Sequence, residues 1–384
     1  MKKIMALFAV VALLLTGCFA DVVEEVDRES SINDIQPDVV TDETKDAEQP
    51  VMSLEDKLWQ LFYVTVEDIS GNEADTEITE EFSEKADKYK VGGVIIFEKN
   101  AQEKVQLMKL LADLAISFDT PVFLGVDEEG GRVSRLSANC EVTDNGNMSD
   151  IEGIAQARAV GERLGRELSG LGFNMDFAPV ADVLVNPNNT EIGKRSFGSD
   201  AVTVAEHVAA EVSGMQGRGI SSVLKHFPGH GSAVTNSHNG VSVSERTLDQ
   251  LREEELLPFI SGIEAGAEFV MVSHLSFPEV LGDNTPASLS PVIITDLLRG
   301  ELGYQGIVIT DALNMGAVTE MYEPGEAAVL AIEAGADMLL MPEDLDAAYE
   351  ALMAAVESGR ITEKRIDESI SRILSLKKKM GLIR

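Results

Sequence analysis

Eight short apolar runs, separated by longer stretches of helical periodicity, limit what this chain can fold into more than any other feature. The runs are Leu61–Val66, Val91–Phe97, Val122–Asp127, Asn174–Val180, Ser222–His226, Phe269–His274, Gly306–Asp311 and Asp337–Met341. They are rich in Val, Ile, Phe and Met and nearly continuous, the pattern of strands covered on both faces. Between them lie amphipathic stretches such as Glu103–Ala115, Ile154–Leu171, Ala201–Arg218 and Arg246–Gly262. Gly172, Gly219 and Gly266 close three helical segments, a usual position for glycine. Eight strands alternating with helices predict an α/β fold, a single (β/α)8 TIM-type barrel over residues 53–384. A doubly wound open sheet is the structural alternative.

The apolar runs repeatedly end in polar side chains. Val122–Val126 leads into Asp127-Glu128-Glu129-Gly130-Gly131-Arg132, and Phe177–Val180 leads to Asp182. Val223-Leu224 leads into Lys225-His226, Val270–Val272 into Ser273-His274, and Ile307–Ile309 into Thr310-Asp311. In parallel barrels the active site is built at these C-terminal strand ends. A buried charge costs several kcal/mol unless paired, so five such ends are not explained by helix capping alone. Four of the five histidines, His226, His230, His238 and His274, lie in or beside these ends, whereas His207 falls mid-helix.

The densest stretch is Lys225-His226-Phe227-Pro228-Gly229-His230-Gly231, followed by Asn236-Ser237-His238. The i, i+4 spacing of His226 and His230 would suit zinc on a helix, but Pro228-Gly229 between them forbids a regular helix. No glutamate follows His226 as a zinc-protease motif requires, so no metal is expected. Gly130-Gly131 lacks the dinucleotide-binding spacing, and these glycines are expected to let the backbone approach a ligand closely. No cofactor is expected.

The stretches Asp127–Arg135, Phe177–Asp182, Ile192–Asp200, Lys225–His238 and Ile309–Met315 resemble glycoside hydrolase family 3, specifically its single-domain β-N-acetylhexosaminidases. The resemblance covers roughly Ser53 to the C-terminus and implies a retaining hydrolase that removes terminal β-linked N-acetylglucosamine from cell-wall-type saccharides. It implies that Asp311 is the nucleophile, forming a covalent glycosyl-enzyme, and that His238 is the acid/base. It further implies that Asp127, Arg135, Arg195, Lys225 and His226 bind sugar hydroxyls, and that His230 supports the loop or contacts the ligand. The chain departs from the family at Asn236, where an aspartate normally pairs with the catalytic histidine two residues later. An amide oxygen can orient an imidazole but supplies no negative charge to stabilise imidazolium, which predicts a slower enzyme. A catalytically weakened sugar-binding lipoprotein, a β-glucosidase and a phosphorylase of the same family are the alternative readings.

The N-terminus reads as an address. Lys2 and Lys3 precede the short apolar run Ile4–Leu15, too short to span a bilayer, which ends in Leu15-Thr16-Gly17-Cys18. This order resembles the lipobox of bacterial lipoproteins, implying a signal peptide over residues 1–17 and acylation of Cys18; an ordinary signal peptide is the alternative. From Asp21 to Pro50 there are eleven acidic and two basic residues, so residues 18–52 are expected to form an acidic disordered tether. The protein would then be secreted and held at the outer face of the cell membrane, or in the periplasm or outer membrane, by its lipid alone. A net charge of −35 argues against nucleic acid as a partner. With Cys18 acylated, Cys140 has no partner and is expected to be buried or half-buried.

Overall fold

The computed structural model describes residues 52–235 and 242–384. The signal peptide, Cys18, the acidic tether, Asn236 and His238 lie outside the described residues. Eight parallel strands form the central sheet: β1 (Phe62–Thr65), β2 (Gly93–Ile96), β3 (Phe123–Val126), β4 (Met175–Asp176), β5 (Ser221–Phe227), β6 (Phe269–Val272), β7 (Ile307–Thr310) and β8 (Leu339–Leu340). Their order is β7-β6-β5-β4-β3-β2-β1-β8. A further parallel bridge, Ile309 to Met338, brings β7 beside the start of β8 and nearly closes the ring into the expected barrel. Each expected run supplies one strand. β4 and β8 are shorter than expected, and pairing after Asp176 shrinks to an isolated bridge between Val180 and Lys225, next to Pro179, which has no N–H to give.

The strand residues between the helices and the barrel interior are buried almost throughout, which explains the near-continuous apolar runs. Inside, the Tyr63 ring of β1 packs edge-on against Phe177 with centroids 5.3 Å apart. Glycines on the two following strands make room for it: a Cβ at Gly93 would lie 2.3 Å from the Tyr63 ring, and one at Gly125 would lie 2.3 Å from its hydroxyl. The helical stretch expected over Arg246–Gly262 is broken into Leu248–Gln250, a wide turn at Leu251–Glu255, and Leu257–Glu264. Pro258 explains the break, since it cannot donate to the preceding turn and instead begins a new helix; Leu256 N–H reaches back five residues to Leu251 O.

The N-terminal end of the barrel is sealed by the C-terminal helix Glu363–Lys379. From it, Lys377 enters the core and donates to Gln60 Oε1 at 2.7 Å, with its ammonium 5.1 Å from the Phe123 ring. Just before β8, the buried Asp337 accepts from Arg299, Arg372, Ser369 and the Val308 N–H. Cys140 is buried, and burial, aided by Glu103 and Glu128, pushes its thiol up to about 11. No described helix is long and apolar enough to cross a membrane.

Candidate active site

The C-terminal end of the barrel carries charges that hold one another beside an open cleft. Asp127 follows β3 directly, and Glu129 stands two residues on, where an extended backbone returns the side chain to the same side. Lys225, inside β5, is 2% exposed and spans the two carboxylates, with Nζ 2.6 Å from Asp127 Oδ1 and 2.6 Å from Glu129 Oε1. Arg195 closes the other side, donating Nε and Nη2 to Glu129 at 2.7 and 2.8 Å. Burial raises the Glu129 pKa, but Lys225 and Arg195 outweigh it and hold the carboxyl at about 2. Burial likewise lowers the Lys225 ammonium pKa, and Asp127 and Glu129 more than restore it. Two cations and two anions thus form an ionic square with three paired sides, Asp127–Lys225, Lys225–Glu129 and Glu129–Arg195.

A second network orients the histidines. Asp182, wholly buried, accepts from His226 Nδ1 at 2.8 Å, from the His226 N–H at 3.1 Å and from the His230 N–H at 2.6 Å. One carboxylate therefore fixes the His226 ring with its Nδ1 proton turned inward and Nε2 facing Arg195 Nη2 at 3.4 Å. Burial raises the Asp182 pKa, and the His226 charge and hydrogen bonds bring it below the ordinary value. The His230 ring lies 5.7 Å from that of His226, and burial, then His226, lower its pKa.

Asp311 follows β7. Its N–H donates to Val272 O at 2.9 Å, and its Oδ1 accepts the Ala312 N–H at 2.8 Å. Burial raises its pKa, but His274, His226, the Ala312 N–H and Lys225 bring it below the usual carboxylate value, so it is an anion at neutral pH. His274, held between Ser288 Oγ at 2.7 Å and Ala312 O at 2.9 Å, fastens the Ala312 carbonyl next to Asp311; burial lowers the pKa of this imidazole.

Asp127, Arg135, Arg195, Lys225, His226, His230 and Asp311 all line one cleft of about 660 Å³. Met271, Met315, Leu340 and Met341 add apolar surface to the same cleft. Asp182 and His274, which strand ends alone pointed to, lie behind this lining as supports. Glu129 is the functional residue that sequence reasoning passed over; its i+2 spacing from Asp127 was the available signal. His207 is a packing residue, its Nδ1 2.6 Å from Thr203 O and its ring against Phe197. The close approach at Gly130-Gly131 is made to the 144–148 segment, against which the pair turns a hairpin tip. A Cβ at Gly130 would lie 2.7 Å from Gly146 O, and one at Gly131 2.9 Å from Asn147 Oδ1.

A buried anion at a strand end, facing fixed charges able to grip hydroxyls, suits a polyhydroxylated substrate whose reaction develops positive charge. Residues 53–376 match the Glycosyl hydrolase family 3 N terminal domain. The chain belongs to glycoside hydrolase family 3. The match coincides with the stretch on which the resemblance rested. Within the family, the chain is similar to β-hexosaminidase LpqI of Mycobacterium tuberculosis, at 34% identity over 337 residues, 85% of this chain and 83% of that one. It is similar also to β-hexosaminidase A of Pseudoalteromonas piscicida, at 34% over 338 residues. Among solved structures, a family 3 β-N-acetylglucosaminidase from Paenibacillus superposes with a TM-score of 0.80 at 39% identity over 86% of this chain. The β-N-acetylhexosaminidase of Beutenbergia cavernae gives 0.75 at 30% over 85% of this chain and 98% of its own. The chain spans 56% of the Pseudoalteromonas protein and 63% of the Paenibacillus one.

Proposed function

We propose that this chain is a retaining glycoside hydrolase that removes terminal β-linked N-acetylglucosamine from cell-wall-type saccharides. The observation that carries the reading is the Asp311 carboxylate, ionised and opening into the same cleft as the ionic square. In this reading, Asp311 attacks the anomeric carbon as the glycosidic C–O bond breaks, and His238 gives its proton to the leaving oxygen. Water then attacks the glycosyl-aspartate ester, His238 takes its proton, and Asp311 departs as carboxylate. Asp127, Lys225, Arg195, His226 and Arg135 hold the sugar hydroxyls; charged hydrogen bonds of this kind contribute roughly 1.5–3 kcal/mol each. The names of the relatives support the hexosaminide substrate. The role of His238 rests on its place in the sequence after β5, and no metal or cofactor is invoked. The Leu15–Cys18 motif supports export and anchoring by a lipid on Cys18.

Asn236 favours a second reading, a sugar-binding lipoprotein with weakened catalysis. Release of p-nitrophenol from its β-N-acetylglucosaminide separates the two, with Asp311→Ala as control. Turnover that the substitution abolishes is expected. Binding of N-acetylglucosamine without turnover would move the function to the second reading, and rates that depend on added phosphate would show phosphorolysis.

A further inference from the structure

Three cations line the cleft from positions the family resemblance assigns to sugar binding, and two of them are aimed by ion pairs. Arg195 and Lys225 are locked to Glu129 and Asp127. Arg135 is not. Among the described residues its guanidinium meets no carboxylate, its buried Nε has no hydrogen-bond partner, and its Cζ lies over the Phe97 ring, 5.8 Å from the centroid. What fixes its direction is therefore its own backbone. That backbone is held by Glu128, the acid between the two that enter the square.

Glu128 is fully buried and opens the hairpin Glu128–Gly130/Val133–Ser134, in which it pairs with Ser134. Its carboxylate turns away from the cleft and gathers the returning strand. Oε2 accepts the N–H groups of Arg135 at 2.8 Å and Leu136 at 3.0 Å, and Oε1 accepts the Ser134 hydroxyl. Its own N–H is tied to the buried Asp176 at 3.0 Å, which roots the clamp in β4. We propose that Glu128 is a positioning residue that aims Arg135 into the sugar site.

The clamp requires one oxygen that accepts two N–H groups and a second atom able to meet a hydroxyl. A glutamine meets this, since its carbonyl can take both N–H groups while its amide donates to Ser134. An alanine cannot, and an aspartate is one methylene too short.

The proposal rests on the reading in which Arg135 binds the sugar, so it is tested by binding. N-acetylglucosamine is titrated into the wild type, Glu128→Ala, Arg135→Ala and the double variant, with unfolding temperatures measured alongside. Glu128→Ala is expected to weaken binding about tenfold and Arg135→Ala at least as much. The double variant should be within twofold of Arg135→Ala, because both remove one contact, and Glu128→Gln within threefold of wild type. Additive losses, a Glu128→Gln variant no better than Glu128→Ala, or a lowered unfolding temperature with unchanged affinity would overturn it. If Glu128→Ala does not fold, Glu128→Asp carries the same comparison. Wild-type binding without turnover would count against the hydrolase reading alone and leave this test intact.

Discussion

Two buried lysines stand at opposite ends of one barrel, and they are treated in opposite ways. Lys225, at the C-terminal end, touches two carboxylates, and their attraction outweighs the cost of its burial. Lys377, at the N-terminal end, has among the described residues only the Gln60 amide oxygen and the Phe123 ring, and burial lowers its pKa to about 7. Burial is the same for both, so the partner decides whether the charge survives. A paired charge remains fixed and available for a ligand, whereas an unpaired one becomes a cost that folding bears. The lysine at the site end is kept as a charge, and the lysine at the other end as packing.

The largest effect is expected from Lys225→Met. Breaking a buried pair by removing one partner costs roughly 3–5 kcal/mol of stability, so the unfolding temperature should drop, and losing a charged hydrogen bond to the sugar, worth roughly 1.5–3 kcal/mol, should lower kcat/KM about 10–10²-fold. Retention of activity within threefold would remove the distinction between the two ends.

Next comes the pH dependence of stability from Lys377. Its folded pKa, about 7, lies below the unfolded value, about 10.4. Between these values the unfolded chain binds a proton that the native chain does not, so stability should rise with pH through this window. The gain from pH 7 to 9 is on the order of 2 kcal/mol, being about 1.4 kcal/mol per unit once past the folded pKa. Urea unfolding at a series of pH values should show the rise in the wild type and lose it in Lys377→Met. An equal rise in both would mean that Lys377 stays charged, as Lys225 does.

The smallest effect extends the comparison to a group that carries no charge. Asn236→Asp should restore the family's anion two residues before His238 and raise turnover of substrates with poor leaving groups roughly tenfold. No gain would show that the histidine does not depend on this neighbour.

The barrel was legible because both faces of each strand are covered, and this writes an unbroken apolar run for every strand, down to the two-residue β4 and β8. The site lining was legible where a charge interrupts such a run, as at Asp127, Lys225 and Asp311. It was not legible in Glu128-Glu129, two identical side chains side by side, because their roles differ only by which way an extended backbone turns each one. Glu129 completes the ionic square and Glu128 clamps the hairpin. The glycine tip was legible only in part, for a related reason: positive φ at Gly130 and Gly131 marks a tight turn, and composition does not say what the turn packs against. Arg195 was reached through resemblance, since it follows no strand and its pairing with Glu129 spans 66 positions in the chain.

The central claim is that Asp311 forms a bond to the sugar. The most direct measurement incubates the protein with 5-fluoro-β-N-acetylglucosaminyl fluoride, whose glycosyl-enzyme hydrolyses slowly, and follows intact mass and then peptide masses. The expected result is one added glycosyl unit on the peptide that carries Asp311, absent in Asp311→Ala. Turnover of the fluoride with no adduct, or an adduct on another residue, would contradict it.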